Sequence, residues 1–183
     1  QTGDIYTYVS NSIDEHYTLS GQGVISLFVD SKNNLWVGTW NGGLNLYLPS
    51  SDTFKSFAPG DKTGTINSPH IFSIAEDMQG YLWIGTNGGG LNRFDPKTGL
   101  FKSYTHDSSN PKSIRHNSVN HVTVSSDNKI LLTNYIAFEI FDPETEEFTH
   151  YVHEPDNPSS LKRGQTTAVF EDSRKNIWIA GNM

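Results

Sequence analysis

One segment of this chain keeps returning. The stretch from Asp77 to Asp95, DMQGYLWIGTNGGGLNRFD, recurs as DSKNNLWVGTWNGGLNLYL from Asp30 and as DSRKNIWIAGNM from Asp172, with a weaker copy, SSDNKILLTNYIAFEIFD, from Ser125. Its tryptophan slot holds Trp36, Trp83, Leu131 and Trp178, at spacings of 47, 48 and 47 residues. A second marker, a small hydroxyl residue followed by an aliphatic one, falls at Thr18-Leu19, Thr65-Ile66, Ser113-Ile114 and Ser160-Leu161 with the same spacings. Two independent markers on one period of this length mean a solenoid, a propeller or an array.

No segment carries a 3.6-residue apolar period, which sets helical solenoids aside. In the second unit Ile71 to Glu76, Tyr81 to Thr86, Leu91 to Phe94 and Phe101 to Thr105 read as strands. They are separated by the turns Asp77–Gly80, Asn87–Gly90 and Asp95–Gly99. Four antiparallel strands per repeat of this length is the measure of a β-propeller blade. The run Gly88-Gly89-Gly90 is therefore a turn. A P-loop needs a lysine after its last glycine, and a dinucleotide fingerprint needs an apolar helix, whereas here the alternating LNRFDPKTG follows. Asp30, Asp77 and Asp172 are expected to cap turns, and the tryptophans to fill the gaps between blades with each indole N–H needing an acceptor. Repeat units are expected at 24–70, 71–118, 119–165 and 166–183, with residues 5–9 forming a lone outer strand. The expected fold is thus all-β: a propeller fragment of about three complete blades with partial blades at both ends.

Composition narrows function. Thirteen Lys and Arg against 20 Asp and Glu give a formal charge of −7, which argues against nucleic acid as a partner. The chain has no run of apolar residues long enough for a membrane helix, so no membrane contact is expected of it. Zero cysteines exclude disulfides, thiolate metal sites and a cysteine nucleophile. The seven histidines lack metal-ligand spacing, and nothing in the sequence calls for a cofactor.

The unit with Asp-x-x-Gly-x-Leu-Trp-Ile-Gly-Thr-x-x-Gly-Gly-Leu-Asn-x-Phe-Asp resembles the two-component regulator propeller repeat. Ile71 to Asp95 matches nearly throughout, Val24 to Pro49 well, and Thr166 to Asn182 as far as the chain runs. Val119 to Asp142 departs, with Ser125 for Asp, Leu131 for Trp, Thr133 for Gly and Ile136-Ala137 for the glycines. The resemblance implies the periplasmic sensor region of a bacterial hybrid two-component kinase, with the rest of the propeller and a histidine kinase elsewhere in a parent chain. It implies no catalysis in this segment, and either further blades or a second copy, as a homodimer, to cover its open faces.

In an up-and-down blade the turn between strands two and three shares a face with the long connection to the next blade. Those segments vary while the framework repeats, and variable loops on a rigid scaffold are where binding residues gather. The candidates are Trp40, Asn41, Asn87 and Tyr135 from the turns, and Arg115, His116 and Arg163 from the connections. His70, Asn117 and Gln165 accompany them. Aromatic faces with amide and guanidinium donors suit an oligosaccharide, the expected ligand. His121 joins the set because its slot elsewhere holds Ser26, Ser73 and Ala168, small residues near the axis. Such a histidine is a candidate to face the central channel, against the alternative of a packing role. Two other readings are a carbohydrate-active propeller, glycosidase or lyase, and a protein-interaction platform. A glycosidase needs converging carboxylates, whereas Asp14, Glu15, Asp61, Asp107, Glu154 and Asp156 follow no shared pattern.

Overall fold

The computed structural model describes residues 7–8, 19–21, 23–60 and 62–182, and no helix occurs among them. The first blade comprises β1 (Gly23–Val29), β2 (Leu35–Trp40), β3 (Gly43–Leu48) and β4 (Thr53–Phe57), and the second β5 (Ile71–Glu76), β6 (Leu82–Thr86), β7 (Leu91–Asp95) and β8 (Leu100–Tyr104). The third comprises β9 (Val119–Val124), β10 (Ile130–Asn134), β11 (Ala137–Asp142) and β12 (Glu147–Val152). A fourth sheet holds β13 (Gln165–Glu171) and β14 (Ile177–Asn182). Each sheet is an antiparallel meander in chain order. The innermost strands lie side by side, β1 against β5, β5 against β9 and β9 against β13, as blades around an axis do. The four strands expected of the second unit are all present, with ends shifted by one residue. The proposed outer strand at residues 5–9 lies mostly outside the described residues, as do Thr18 and the acidic Asp14, Glu15 and Asp61.

The sequence period becomes a stacking period. Trp36, Ile66, Phe94 and Phe101 fill the gap between the first two blades, and Trp83, Ile114, Phe141 and Phe148 fill the next. Tryptophan meets aromatic ring at 5.4 Å for Trp36–Phe94 and 5.3 Å for Trp83–Phe141, offset or edge-on as ring quadrupoles prefer. Close approach of the blades demands small residues between them. A Cβ on Gly85 would lie 2.9 Å from Val119 and 3.0 Å from Val122 of the following blade. Trp178 differs from its counterparts: it is 63% exposed where Trp36 and Trp83 are 2% and 0%, because no further blade covers it among the described residues.

The second marker is explained by the connections. Ser113 Oγ accepts from Asp107 N at 2.9 Å and meets the Asp107 and Asn110 carbonyls, and Ser160 does the same with Glu154 and Asn157. The adjoining Ile114 is thereby held in the blade gap. The connection also runs along the outer strand of the next blade, where the Gly64 and Lys112 carbonyls accept from Phe101 N and Phe148 N.

Candidate functional site

Each blade presents a framework face and a variable face. On the framework face the turn aspartates do two jobs. Asp30 accepts from the backbone of Lys32 and Asn34 and, through Oδ2, from Trp36 Nε1 at 2.8 Å. Asp77 and Asp172 repeat this with Trp83 at 2.7 Å and Trp178 at 2.9 Å. The residue three past each aspartate has positive φ, at Asn33, Gly80 and Lys175. In the third blade Ser125 and Leu131 replace both partners at once, so no indole is left without an acceptor. Burial pushes the Asp30 carboxyl up, yet the bonds from Trp36, Asn34 and Lys32 outweigh it and hold the group below its ordinary range. The Trp178 and Asn176 bonds bring Asp172 down to about 2. Carboxylates also staple neighbouring blades, Glu76 accepting from Ser31 N and Oγ and Glu171 from Ser126 N and Oγ. These are structural duties, and they occupy this turn's acidic groups.

The variable face carries a contiguous row built from three blades. Trp40, at the end of β2, lies 4.1 Å from the His70 ring and 6.0 Å from the nearly parallel Phe72. Phe72 occupies a bulge that recurs at the same place on β1, β5 and β13, and a bulge re-aims the side chain it carries. Asn41 N donates to His70 Nδ1 at 3.3 Å, and Asn87 N donates to the His70 carbonyl at 3.0 Å. Ser118 Oγ donates to Asn87 Oδ1 at 2.7 Å, Ser118 N to His116 Nδ1 at 3.0 Å, and the His116 ring meets Tyr135 edge-on at 5.3 Å. Backbone amides thus engage Nδ1 of both His70 and His116, leaving Nε2 as each ring's second hydrogen-bonding atom. The row alternates aromatic faces with amide and imidazole groups, a surface that can stack on rings and bond hydroxyls.

Five of the eight candidate residues, Trp40, Asn41, Asn87, His116 and Tyr135, belong to this row. Arg115 is exposed beside it, with its backbone N–H donated to Glu139 Oε1 at 2.9 Å. Arg163 is exposed in the last connection. His121 stands apart on β9, where its Nδ1 accepts from Val169 N at 3.4 Å. Ser73 bonds Val122 N at 3.0 Å from the equivalent slot. The histidine links innermost strands as that serine does, and burial lowers its pKa.

A buried cluster in the third blade was not anticipated. Glu139, fully buried, meets His150 Nδ1 at 2.5 Å and accepts from Asn134 Nδ2, while His150 Nε2 lies 3.0 Å from the Pro111 carbonyl. The same slots hold Asn45 with Ser56, and Asn92 with Ser103, joined at 2.9 and 2.7 Å. The joint exchange of Asn–Ser for Glu–His is visible in the aligned repeats, but its meaning depends on the register between β11 and β12. Burial pushes the Glu139 carboxyl up against the pull of the Arg115 N–H and His150.

Fold and face together define a propeller segment with a conserved-geometry underside and a variable upper surface. The two-component regulator propeller family model matches residues 18–41 and 65–88. Two of the chain's repeats thus match the two-component regulator propeller repeat. Among solved structures it is similar to a domain described as the extracellular domain of the hybrid two component system BT3049 from B. thetaiotaomicron. That likeness has a TM-score of 0.77 at 25% identity and covers 96% of this chain and 24% of that one. A second, the extracellular domain of BT4673 from the same organism, gives 0.69 at 26%, covering 86% and 20%. Virginiamycin B lyase from Staphylococcus aureus gives 0.66 at 16%, covering 98% and 53%, a likeness of fold alone. The chain spans about a quarter or less of the two-component relatives' length. No curated protein matches it.

Proposed function

We propose that this chain is part of the non-catalytic, extracytoplasmic sensor propeller of a hybrid two-component signalling protein, and that an oligosaccharide binds along the row from Trp40 to Tyr135. The observation that carries the ligand reading is that row: aromatic rings with amide and imidazole groups on one face, joined by hydrogen bonds and ring contacts across three blades. The signalling context rests on the repeat family and on the likeness to extracellular domains of hybrid two-component systems. In this reading the protein faces the periplasm, and ligand changes blade packing or dimer geometry, which a histidine kinase elsewhere in the parent chain reads. The exposed Trp178 and the apolar outer surface of β1, with Val24, Leu27 and Val29, are where further blades of the parent dock.

The non-catalytic reading rests on the repeat match and on the likeness to extracellular domains of hybrid two-component systems. Of the described acidic residues in the connections, Asp107 accepts from Ser109 and Glu154 from Asn157, while Asp156 is exposed. The test is calorimetric titration of bacterial and plant oligosaccharides into the protein and its Trp40→Ala and Tyr135→Ala variants, with folding checked by thermal melts. Binding weakened at least about tenfold, equal to 1.4 kcal/mol, in both variants supports the reading. Unchanged affinity in both, or sugar turnover, sinks it.

A further inference from the structure

A cleft of about 310 Å³ opens on the framework face between the first two blades, near the lower bound of about 300 Å³ for small-molecule pockets. Its floor includes Trp36 and Phe57, and Lys32, Lys55 and Lys97 stand on its walls. The acidic groups that line it are committed elsewhere: Asp30 to Trp36, Asn34 and Lys32, and Glu76 to Ser31.

The repeat supplies its own comparison. At the corresponding place between the second and third blades, Lys102 Nζ lies 5.2 Å from the Tyr104 ring centroid and pairs with the Glu146 carboxylate at 2.5 and 2.6 Å. The Tyr104 hydroxyl donates to the same carboxylate at 2.9 Å. In the first blade Asp52 fills the Glu146 slot and accepts from the Tyr8 and Tyr47 hydroxyls. Between the first two blades the lysine keeps its pose, Lys55 Nζ lying 5.0 Å from the Phe57 centroid. The carboxylate does not, because its slot is Gly99. A Cβ on Gly99 would meet nothing within 4 Å, so the space that Glu146 fills one blade on is open here.

We propose that this cleft binds a small organic carboxylate of monosaccharide size, its carboxylate taking beside Lys55 the position that Glu146 takes beside Lys102, and its body resting on Trp36 and Phe57. Lys32 and Lys97 add positive charge at the rim, and the tryptophan and phenylalanine supply an apolar seat. The site lies on the face opposite the oligosaccharide row and goes beyond that reading; either can fail alone.

The test is a titration of the full chain with glucuronate, followed by backbone and indole N–H spectra, beside glucose, which keeps the ring and lacks the carboxylate. Glucuronate at up to about 10 mM, a range that reads weak binding, is expected to shift the Trp36 indole and the Lys55 and Gly99 amides while leaving the Trp83 indole in place. Glucose leaves all of them unmoved. Gly99→Glu, which rebuilds the Lys102–Glu146 arrangement, abolishes the shifts; Glu146 itself has φ of 58°, so the slot accepts a side chain. Lys55→Gln weakens binding at least tenfold, and Lys102→Gln leaves it unchanged. Equal shifts from glucose, no response of Trp36 to glucuronate, or undiminished binding in both Gly99→Glu and Lys55→Gln would overturn the proposal.

Discussion

At the scale of residues, the Asp–Trp pair is the unit that makes a blade. One carboxylate closes the turn through backbone N–H groups and fixes the indole six residues on, so the turn and the blade gap are set by the same side chain. Trp83→Ala removes a fully buried indole and is expected to cost about 3 to 5 kcal/mol in denaturant melts. Trp178→Ala, at an exposed site, should cost about 1 kcal/mol or less. The Asp172 carboxyl gives a pH signature. Its folded pKa lies below the unfolded value of 3.8, so its stabilising contribution is present above that pH and is lost as pH falls toward about 2. Carbon-detected titration should find Asp172 still ionised at pH 3, and Trp178→Phe should return its pKa toward 3.8.

At the scale of elements, the third blade has a different chemistry inside the same frame. It lacks the Asp–Trp pair and carries the buried Glu139–His150 pair, which ties β11 to β12 and, through Pro111, to the connection along the blade's edge. His150→Ser removes the imidazole from the buried Glu139, which keeps only the Arg115 N–H and the Asn134 amide, and is expected to destabilise by about 3 kcal/mol. The double exchange Glu139→Asn with His150→Ser, which restores the pair found in the other blades, should recover most of that loss, as a double-mutant cycle in thermal or urea melts will read. Strand positions, glycine turns and the turn-capping aspartates were legible in the sequence because each is local and recurs every 47 or 48 residues. The Glu139–His150 pair was not, since residues eleven apart meet only through strand register. The candidate row was legible as single residues. That Trp40, His70, Asn87, His116 and Tyr135 form one line follows from how blades stack, which no single repeat encodes. The Lys55 cleft was hidden for another reason: its signal is an absence at Gly99, seen only beside Glu146.

At the scale of the whole molecule, the repeats form a modular stack in which, among the described residues, Leu27 and Val29 on β1 and Trp178 on β14 are left exposed. Appending one further blade, copied from residues 71–118, after β14 is expected to bury Trp178, shift its fluorescence to the blue and raise the melting temperature. The most direct test of the central claim, that the variable face is the sensing face, is hydrogen exchange of the protein with and without a binding oligosaccharide. The account predicts slowed exchange at residues 40–41, 70–72, 87, 116–118 and 135, with the turns at Asp30 and Asp77 unchanged. Protection confined to those aspartate turns, with none along the Trp40-to-Tyr135 row, would contradict it.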